Sequence, residues 1–208
     1  MNELQKCQRC PRLTDYRIEQ KAIFPGYRCL PVAGFGAADA KLLIVGLAPG
    51  LHGANASGRP FTGDASGDML FATLHKYGFA SRAKSLSRHD NMNLIDCRIT
   101  NAVKCVPPQN RPTGDEIKRC NTYLRAEISS LAGGSIILAL GTIAHNSILK
   151  ALDFQQSQSV FAHLAEHRLG NRLRLIDSYH CSRYNFNTGR LNLAMFEQVF
   201  QRIRQILA

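Results

Sequence analysis

The sequence predicts an α/β protein with a small parallel sheet that is covered by helices on both faces. Short apolar runs of strand length alternate with segments of helical periodicity, which is the order that a parallel sheet requires. One of these runs, residues 135–140, is apolar almost throughout, as expected of a strand buried on both faces. Three of the predicted strands end in unusual loops, so we expect one functional site at their carboxyl ends.

The first predicted elements are a helix and a strand. Pro11 suits the first turn of a helix, and Leu13 and Ile18 would face inward from it. Residues 27–36 have the composition of coil. The run 42–45 has the length and the β-branched character of a buried strand.

A long loop follows this strand. Residues 46–67 contain six glycines and two prolines, too many for the interior of a helix or strand. The loop lacks the lysine of a Walker motif and the G-x-G-x-x-G of a dinucleotide site, so the pattern does not indicate a nucleotide-phosphate cradle. Backbone groups at 46–50, the ring of Phe61 and the carboxylates of Asp64 and Asp68 would suit a flatter, less charged ligand. A purely structural loop is the alternative.

The rest of the chain continues the alternation. A capping box at Thr113 and Glu116 predicts the start of a helix that runs to about Leu131. The other predicted segments are a helix over 68–77, a polar and basic loop over 81–93, strands over 95–103, 135–140 and 172–177, a helix over 142–152, a polar and aromatic loop over 178–190 and a final helix over 191–207.

Two polar side chains follow predicted strands. Asn101 can present one donor and one acceptor to a ligand, and a capping role at the strand end is its alternative. His180 comes directly after the fourth strand, where a satisfied core histidine is the alternative. Both positions lie at the edge of the sheet where we expect the site.

Composition bounds the partners and the location. Lysine and arginine number 26 against 15 acidic residues, a net charge of +11 that predicts a nucleic-acid partner, with a merely basic protein as the alternative. The 208 residues suit a single globular domain, 1–208. No run of eighteen apolar residues and no signal-peptide centre is present, so we expect no membrane partner and a cytoplasmic location.

Seven cysteines in such a protein favour metal binding or catalysis over disulfides. Cys7 and Cys10 form a C-x-x-C pair, which alone also suits a redox motif or no function. His163 and His167 have the i, i+4 spacing of metal ligands, but no carboxylate motif accompanies them, and surface or core histidines are the simpler interpretation.

The motifs taken together resemble those of the uracil-DNA glycosylase superfamily, most closely its family 5 and next the iron–sulfur family 4. The resemblance extends from about Cys7 to Leu191 and rests on G-L-A-P-G, G-R-P-F-T-G-D, T-N-A-V-K-C with P-P-Q-N, and H-C-S with N-T-G-R-L. It implies a three-layer α/β/α sandwich around a four-stranded parallel sheet, and excision of uracil from DNA.

The resemblance also implies a [4Fe–4S] cluster held by Cys7, Cys10, Cys105 and Cys120. Four thiolates without histidine suit an iron–sulfur cluster or a structural zinc, and the long gap between the pairs weakens zinc. The three remaining cysteines would be free, namely Cys29, Cys97 and Cys181.

Residue roles follow from the same resemblance. Family 4 has a carboxylate in its first motif that positions the attacking water, and this chain has Ala48 there. The task would pass to Asp64, with Asp68 in reserve and a helix N-cap as the alternative for either. His180 would stabilise the departing base. The substrate-binding residues would be Gly46, Ala48, Gly50, Phe61 and Asn101.

The expected partner is single- or double-stranded DNA that contains uracil or another deaminated base, such as hypoxanthine. The segment Arg183, Tyr184, Asn185, Phe186 and Arg190 would contact this DNA. We expect a monomer associated with a bacterial nucleoid. Two alternatives stay open: a family 4-like glycosylase strict for uracil, and a non-catalytic iron–sulfur or zinc protein that binds nucleic acid.

Overall fold

The computed structural model describes residues 3–208. Its strands are β1 (Phe35–Gly36), β2 (Leu42–Gly46), β3 (Cys97–Asn101), β4 (Ile136–Leu140), β5 (Glu166–Leu169) and β6 (Leu173–Ser178). Its helices are α1 (Pro11–Ile23), α2 (Ala54–Ser57), α3 (Ala65–Lys76), α4 (Gly114–Ser129), α5 (Thr142–Ala151), α6 (Arg183–Asn187) and α7 (Leu193–Leu207). Short 3₁₀ turns occur at Glu3–Lys6, Pro108–Asn110 and Gln156–Gln158.

The strands form one mixed sheet in the order β1-β3-β2-β4-β6-β5. The four central strands are parallel, as predicted, and the edge strands β1 and β5 run antiparallel to their neighbours. The prediction of four strands was therefore incomplete. Strands of two and four residues carry too little alternation to be recognised, and β1 lies inside the segment predicted as coil.

Two hydrophobic cores lie on opposite faces of the sheet. Leu42 and Ile44 of β2 belong to the core that includes side chains of α3 and α7, whereas Leu43 and Val45 belong to the core that includes side chains of α4 and α5. Successive strand residues point to opposite faces, so a strand that is buried along its whole length needs helices on both sides. This arrangement is the predicted three-layer α/β/α sandwich.

Helix boundaries follow local capping. Asp64 is the N-cap of α3, and its side chain accepts a hydrogen bond from the backbone N–H of Gly67. The predicted capping box of α4 is confirmed, because the Thr113 and Glu116 side chains each bind the other residue's backbone N–H. The predicted start of α3 at Asp68 was three residues late because the cap is Asp64. No helix of residues 3–208 is long and apolar enough to cross a membrane.

A buried His–Asp–His group ties α5 to the strands. His145 Nδ1 lies 2.8 Å from Asp177 Oδ1, and His167 Nε2 lies 2.9 Å from Asp177 Oδ2. His163 does not join them, since its ring nitrogens contact the backbone at Met195 and Tyr179. The i, i+4 pair therefore is no common metal site. Hydrogen bonds account for the three ligand atoms that lie within 4.8 Å of one another.

The surroundings of His145 favour the charged form of its imidazole ring. Both ring nitrogens of His145 face oxygen acceptors, Asp177 Oδ1 and, at 2.8 Å, the carbonyl of Ser159, so the doubly protonated ring can donate a hydrogen bond to each. Burial lowers the pKa of His145, but the hydrogen bond and charge of Asp177 outweigh it and raise the pKa above 6.5. Stability from this pair is full below pH 6.5 and is lost as the pH rises through the raised pKa.

We therefore predict that Asp177→Asn lowers the free energy of unfolding by about 3–5 kcal/mol at pH 6, because it leaves a buried charge unpaired. The loss should shrink at higher pH, where His145 is neutral. Urea denaturation at pH 6 and pH 9 measures both effects. Asp153→Asn, which removes an exposed carboxylate, is the control. An equal loss for Asp177→Asn at both pH values would contradict the charged state of His145.

Candidate active site

A pocket of about 460 Å³ opens at the carboxyl ends of the parallel strands. Its walls come from the loops that follow β2, β3 and β6. Six of the residues predicted from the sequence line it together, namely Ala48, Gly50, Phe61, Asp64, Asn101 and His180.

The ring of Phe61 is held in place by unusual backbone geometry. Phe61 is buried and has a φ of 54°, a left-handed conformation that is rare for a bulky residue and concentrates at functional sites. A Cβ at Gly67 would lie 1.8 Å from the carbonyl oxygen of Phe61. A Cβ at Gly46 would lie 2.6 Å from the ring. Gly46 thus lies beneath the aromatic floor and is not part of the pocket lining.

Two buried polar atoms beside this ring have no hydrogen-bond partner within residues 3–208. They are Asn101 Oδ1, on a residue 3% exposed, and His180 Nδ1. The rings of Phe61 and His180 lie 6.0 Å apart with an interplanar angle of 23°. Because an unpaired buried polar atom costs free energy, these atoms indicate a ligand that is flat and carries hydrogen-bonding groups on its edge.

His180 is an uncharged donor or acceptor at neutral pH. Burial lowers the pKa of His180 to about 4, because a charged imidazole would lose its hydration in this pocket. A neutral imidazole offers one N–H and one lone pair. His180 is therefore suited to donate a hydrogen bond to an oxygen that gains negative charge, without itself being an acid at pH 7.

Asp64 serves two purposes at once. Its Oδ1 accepts a hydrogen bond of 2.9 Å from the N–H of Gly67, while Oδ2 lies 2.4 Å from where a Cβ at Gly53 would be. Burial raises the pKa of Asp64, the Gly67 and Ser66 amides oppose this, and Asp68 adds to it. The N-cap and the pocket-lining interpretations of the sequence are therefore compatible.

Asp68 does not lie in the pocket. It is exposed on the first turn of α3 and does not contribute to the lining. Its reserve role stays a prediction, and its position is one helical turn beyond the N-cap along α3.

Four polar side chains of the pocket were not predicted, namely His52, Ser66, Asn110 and Ser182. A signal for His52 was available, because it lies in the loop G-L-A-P-G-L-H-G directly after a buried strand. Ser182 also had a signal, since it belongs to the H-C-S motif after the fourth predicted strand, whereas Ser66 had none. Ser182 is the N-cap of α6.

The predicted loop after β6 contains the short helix α6, so the coil prediction for 178–190 was wrong there. Tyr184 is 72% exposed, but Phe186 packs against the core and the side chain of Asn185 donates to the carbonyl of His180 at 2.8 Å. The guanidinium of Arg190 stacks on Tyr179 at 4.7 Å from the ring centre. Tyr184 is thus exposed, whereas Asn185, Phe186 and Arg190 are held by contacts within the protein.

The four predicted cysteine ligands line one common cavity, which contains none of the other three cysteines. No three of their sulfur atoms lie within 4.8 Å of one another, whereas ligands of one tetrahedral zinc would be about 3.8 Å apart. Burial raises the pKa of Cys105 to about 12 and that of Cys120 to about 11. Four thiols around one cavity are a donor set that could hold a thiolate-bound metal centre.

A short piece of backbone, residues 101–105, connects the pocket to the cysteine cavity. Cys105 follows Asn101 by four residues, and the N–H of Lys104 donates to Cys120 Sγ at 3.2 Å. The Lys104 side chain is buried and binds Thr100 and Glu127. The segment that follows Asn101 is thereby held both by the backbone N–H and by the side chain of Lys104.

The fold and the pocket define a class: an α/β/α protein whose pocket, at the carboxyl edge of a parallel sheet, is suited to a flat polar ligand. Residues 33–204 match the family model described as Uracil DNA glycosylase superfamily. The chain belongs to this superfamily and, by its relatives, to the type-5 group.

Relatives of the type-5 group match nearly the whole chain. The Type-5 uracil-DNA glycosylase of Thermus thermophilus is 40% identical over 98% of this chain and 94% of its own length. That of Pyrobaculum aerophilum is 39% identical over 97% of this chain and 89% of its own length. The Type-4 uracil-DNA glycosylase of Archaeoglobus fulgidus is 31% identical over 72% of this chain and 69% of its own length. Similarity is therefore greater and longer on the type-5 side.

We predict that His180 stays neutral from pH 8 to below pH 5. Because its folded pKa lies below the unfolded value of 6.5, the neutral ring stabilises the fold above pH 6.5, and this stability is lost as the pH falls toward 4. NMR titration of the imidazole resonances measures this, with His180→Gln to assign the signal. A midpoint for His180 near 6.5 would contradict its desolvated environment.

Proposed function

We propose that this protein is a DNA-repair hydrolase that removes uracil from DNA and leaves an abasic site. The observation that carries the proposal is the pairing of a flat aromatic floor with two unsatisfied buried atoms, Asn101 Oδ1 and His180 Nδ1, in one pocket. Membership of the glycosylase superfamily and the net charge of +11 support the same conclusion.

Recognition of the base begins with its extrusion from the helix. A base that is stacked inside the DNA helix cannot enter the pocket. The nucleotide is therefore flipped out of the helix, at a cost of a few kcal/mol. Phe61 stacks on the flipped ring, and the amide of Asn101 pairs with the O4 and N3–H edge of uracil. Cytosine reverses that donor and acceptor pattern, which leaves buried polar groups unpaired at about 1–3 kcal/mol each.

Cleavage of the N-glycosidic bond leaves negative charge on the base and positive charge on the sugar. Neutral His180 donates a hydrogen bond to O2 of the departing base and stabilises its charge, as oxyanion donors do. Asp64 uses its Oδ2 side to orient the attacking water or to stabilise the sugar cation. Ala48 stands where family 4 has a carboxylate, so Asp64 acts without that second acid.

The pocket also suits bases other than uracil. Its volume of about 460 Å³ and the small side chain of Ala48 leave room for a two-ring base such as hypoxanthine. Hypoxanthine, like uracil, presents a carbonyl next to an N–H on one edge. We therefore include deaminated purines in the proposed substrate range, and a strict uracil enzyme is the competing proposal.

A [4Fe–4S] cluster held by Cys7, Cys10, Cys105 and Cys120 is the proposed cofactor. Its role here is structural: when bound, it links the residues before α1 to the segment between β3 and α4, and no catalytic step depends on it. The four thiols are free of disulfides and line one cavity. A non-catalytic metal protein would use the same cysteines but would have no need for the pocket.

The DNA surface includes α6 and the residues after it. Tyr184 is 72% exposed beside the pocket loop and would fill the gap left by the extruded base. Arg183 and Arg190 would contact phosphates. We expect the protein to act as a monomer on chromosomal DNA.

The decisive assay is alkaline cleavage of a duplex with one uracil after incubation with the protein. We predict strand cleavage at the uracil with wild type and none with Asp64→Asn. A matched duplex with hypoxanthine tests the wider range, and activity on it would exclude the strict uracil enzyme. Intact uracil strands after treatment with folded wild-type protein would refute the proposed function.

We predict that Asn101→Ala reduces kcat/KM for uracil excision by about 5- to 150-fold, the equivalent of about 1–3 kcal/mol, because the base loses its paired amide. Asn110→Ala is the matched control, since Asn110 also lines the pocket but is exposed at its mouth. Single-turnover kinetics measure both. Equal losses in the two variants would contradict the role of Asn101.

We predict that Cys105→Ser abolishes the broad absorbance near ~400 nm that an iron–sulfur cluster gives, and lowers the Tm, because one ligand and its cross-link are lost. Cys97→Ala, in a buried cysteine of β3 outside the cavity, should keep the absorbance. Iron and sulfide analysis distinguishes the cluster from zinc. A colourless wild-type protein with one zinc per chain would overturn the cofactor assignment.

A further inference from the structure

A second groove, of about 470 Å³, adjoins the base pocket. His52 and Gly53 belong to the walls of both, so the two concavities meet at these residues. The far walls come from residues 26–28, from 62–63 and from the loop 86–89. The groove therefore begins where the base pocket opens.

The charged side chains that line the groove are all basic. Its lining contains Arg28, Arg88 and His89 and no acidic residue. Some cations of the described chain are neutralised by carboxylates, as in the pairs Arg12–Glu116, Arg59–Asp90 and Lys104–Glu127. Within residues 3–208 the guanidinium groups of Arg28 and Arg88 make neither an ion pair nor a hydrogen bond. Such unpaired charge along a groove is typical of a phosphate-binding surface.

Specific contacts hold the walls of the groove in place. A Cβ at Gly58 would lie 2.2 Å from Cδ of Arg28, so glycine makes room for this side chain to cross the loop. The opposite wall is fixed by buried Arg59, which donates to Asp90 Oδ1 at 2.6 Å and to the carbonyl of Arg88 at 2.8 Å. The loop predicted over 81–93 is therefore tied down by specific hydrogen bonds.

His52 is oriented at the junction. Its Nδ1 is 2.9 Å from the hydroxyl of Tyr27, and the ring of Phe24 meets it edge-on at 5.5 Å. Phe24 and Tyr27 stack on each other at 4.7 Å, which braces the pair. With Nδ1 engaged by Tyr27, Nε2 is left for a ligand between the pocket and the groove.

We propose that this groove binds backbone phosphates of the DNA strand that carries the flipped nucleotide. His52 binds the phosphate attached to that nucleotide, and Arg28 and Arg88 bind the phosphates that follow. A flipped base stays joined to its DNA backbone, so the phosphates on either side of it must run away from the base pocket. The groove starts at the mouth of the base pocket and is lined by cations. The inference rests on the proposed function, because it assumes DNA as the substrate.

The first test is the salt dependence of binding to a duplex that carries a tetrahydrofuran abasic site. Each phosphate contact contributes about 0.9 to the slope of log K against log salt, so Arg28→Gln and Arg88→Gln should each lower the slope by about that amount. Arg125→Gln is the matched control. Arg125 is an exposed residue of α4 and pairs with Asp153, which lies just after the end of α5. Slopes that fall equally in all three variants would overturn the proposal.

The second test locates the phosphates. Single neutral methylphosphonates are placed at successive positions on either side of the abasic site. We expect one position to weaken wild type but not His52→Ala, and neighbouring positions on the same side to weaken wild type but not Arg28→Gln or Arg88→Gln. His52→Ala should raise KM while kcat changes little, because a phosphate contact is made equally in the ground and transition states. Independent, additive losses at every position would refute the assignment.

The outcomes separate this inference from the proposed function. If the variants lose the phosphate contacts but the wild type releases no uracil, the phosphate-binding groove is supported and the enzymatic activity is refuted. Uracil release by wild type with unchanged slopes and unchanged methylphosphonate effects in the variants would retain the enzyme and refute the groove. Circular dichroism of each variant ensures that only folded proteins are compared.

Discussion

The close approach of two parallel strands at Gly46 is the constraint on which the site depends. Gly46 pairs in register with Asn101, and a Cβ at position 46 would lie 2.5 Å from Asn101 Oδ1 and 2.6 Å from the Phe61 ring. Only glycine lets the amide and the aromatic floor meet there. The parallel register of β2 and β3 and the absence of one side chain thus decide where a base can be recognised.

The central layers of the fold could be predicted because their signals are local. Strand β4 is apolar at every position, and the capping box of α4 marks its start within one residue. The edge strands could not be predicted, since β1 exists only through its pairing with β3. Likewise α6 depends on a cap from Ser182 and on core contacts of Phe186, which are long-range effects in a segment of low helical propensity.

The candidate site was predictable where a residue's chemistry and its position at a strand end coincided, as for Asn101 and His180. It was not predictable where function depends on how separate loops meet. His52 acquires its orientation from Tyr27, which lies 25 residues earlier, in a segment of unremarkable coil. Arg28 and Arg88 looked like ordinary surface charges, because a sequence does not reveal which cations lack a carboxylate neighbour.

The N–H of Lys104 that binds Cys120 Sγ gives the thiol cavity a hold on the strand that ends in Asn101. Oxidation of that sulfur would remove the acceptor and release the peptide from one of its two anchors. The fidelity of base selection would then decline although no group that meets the base had been altered.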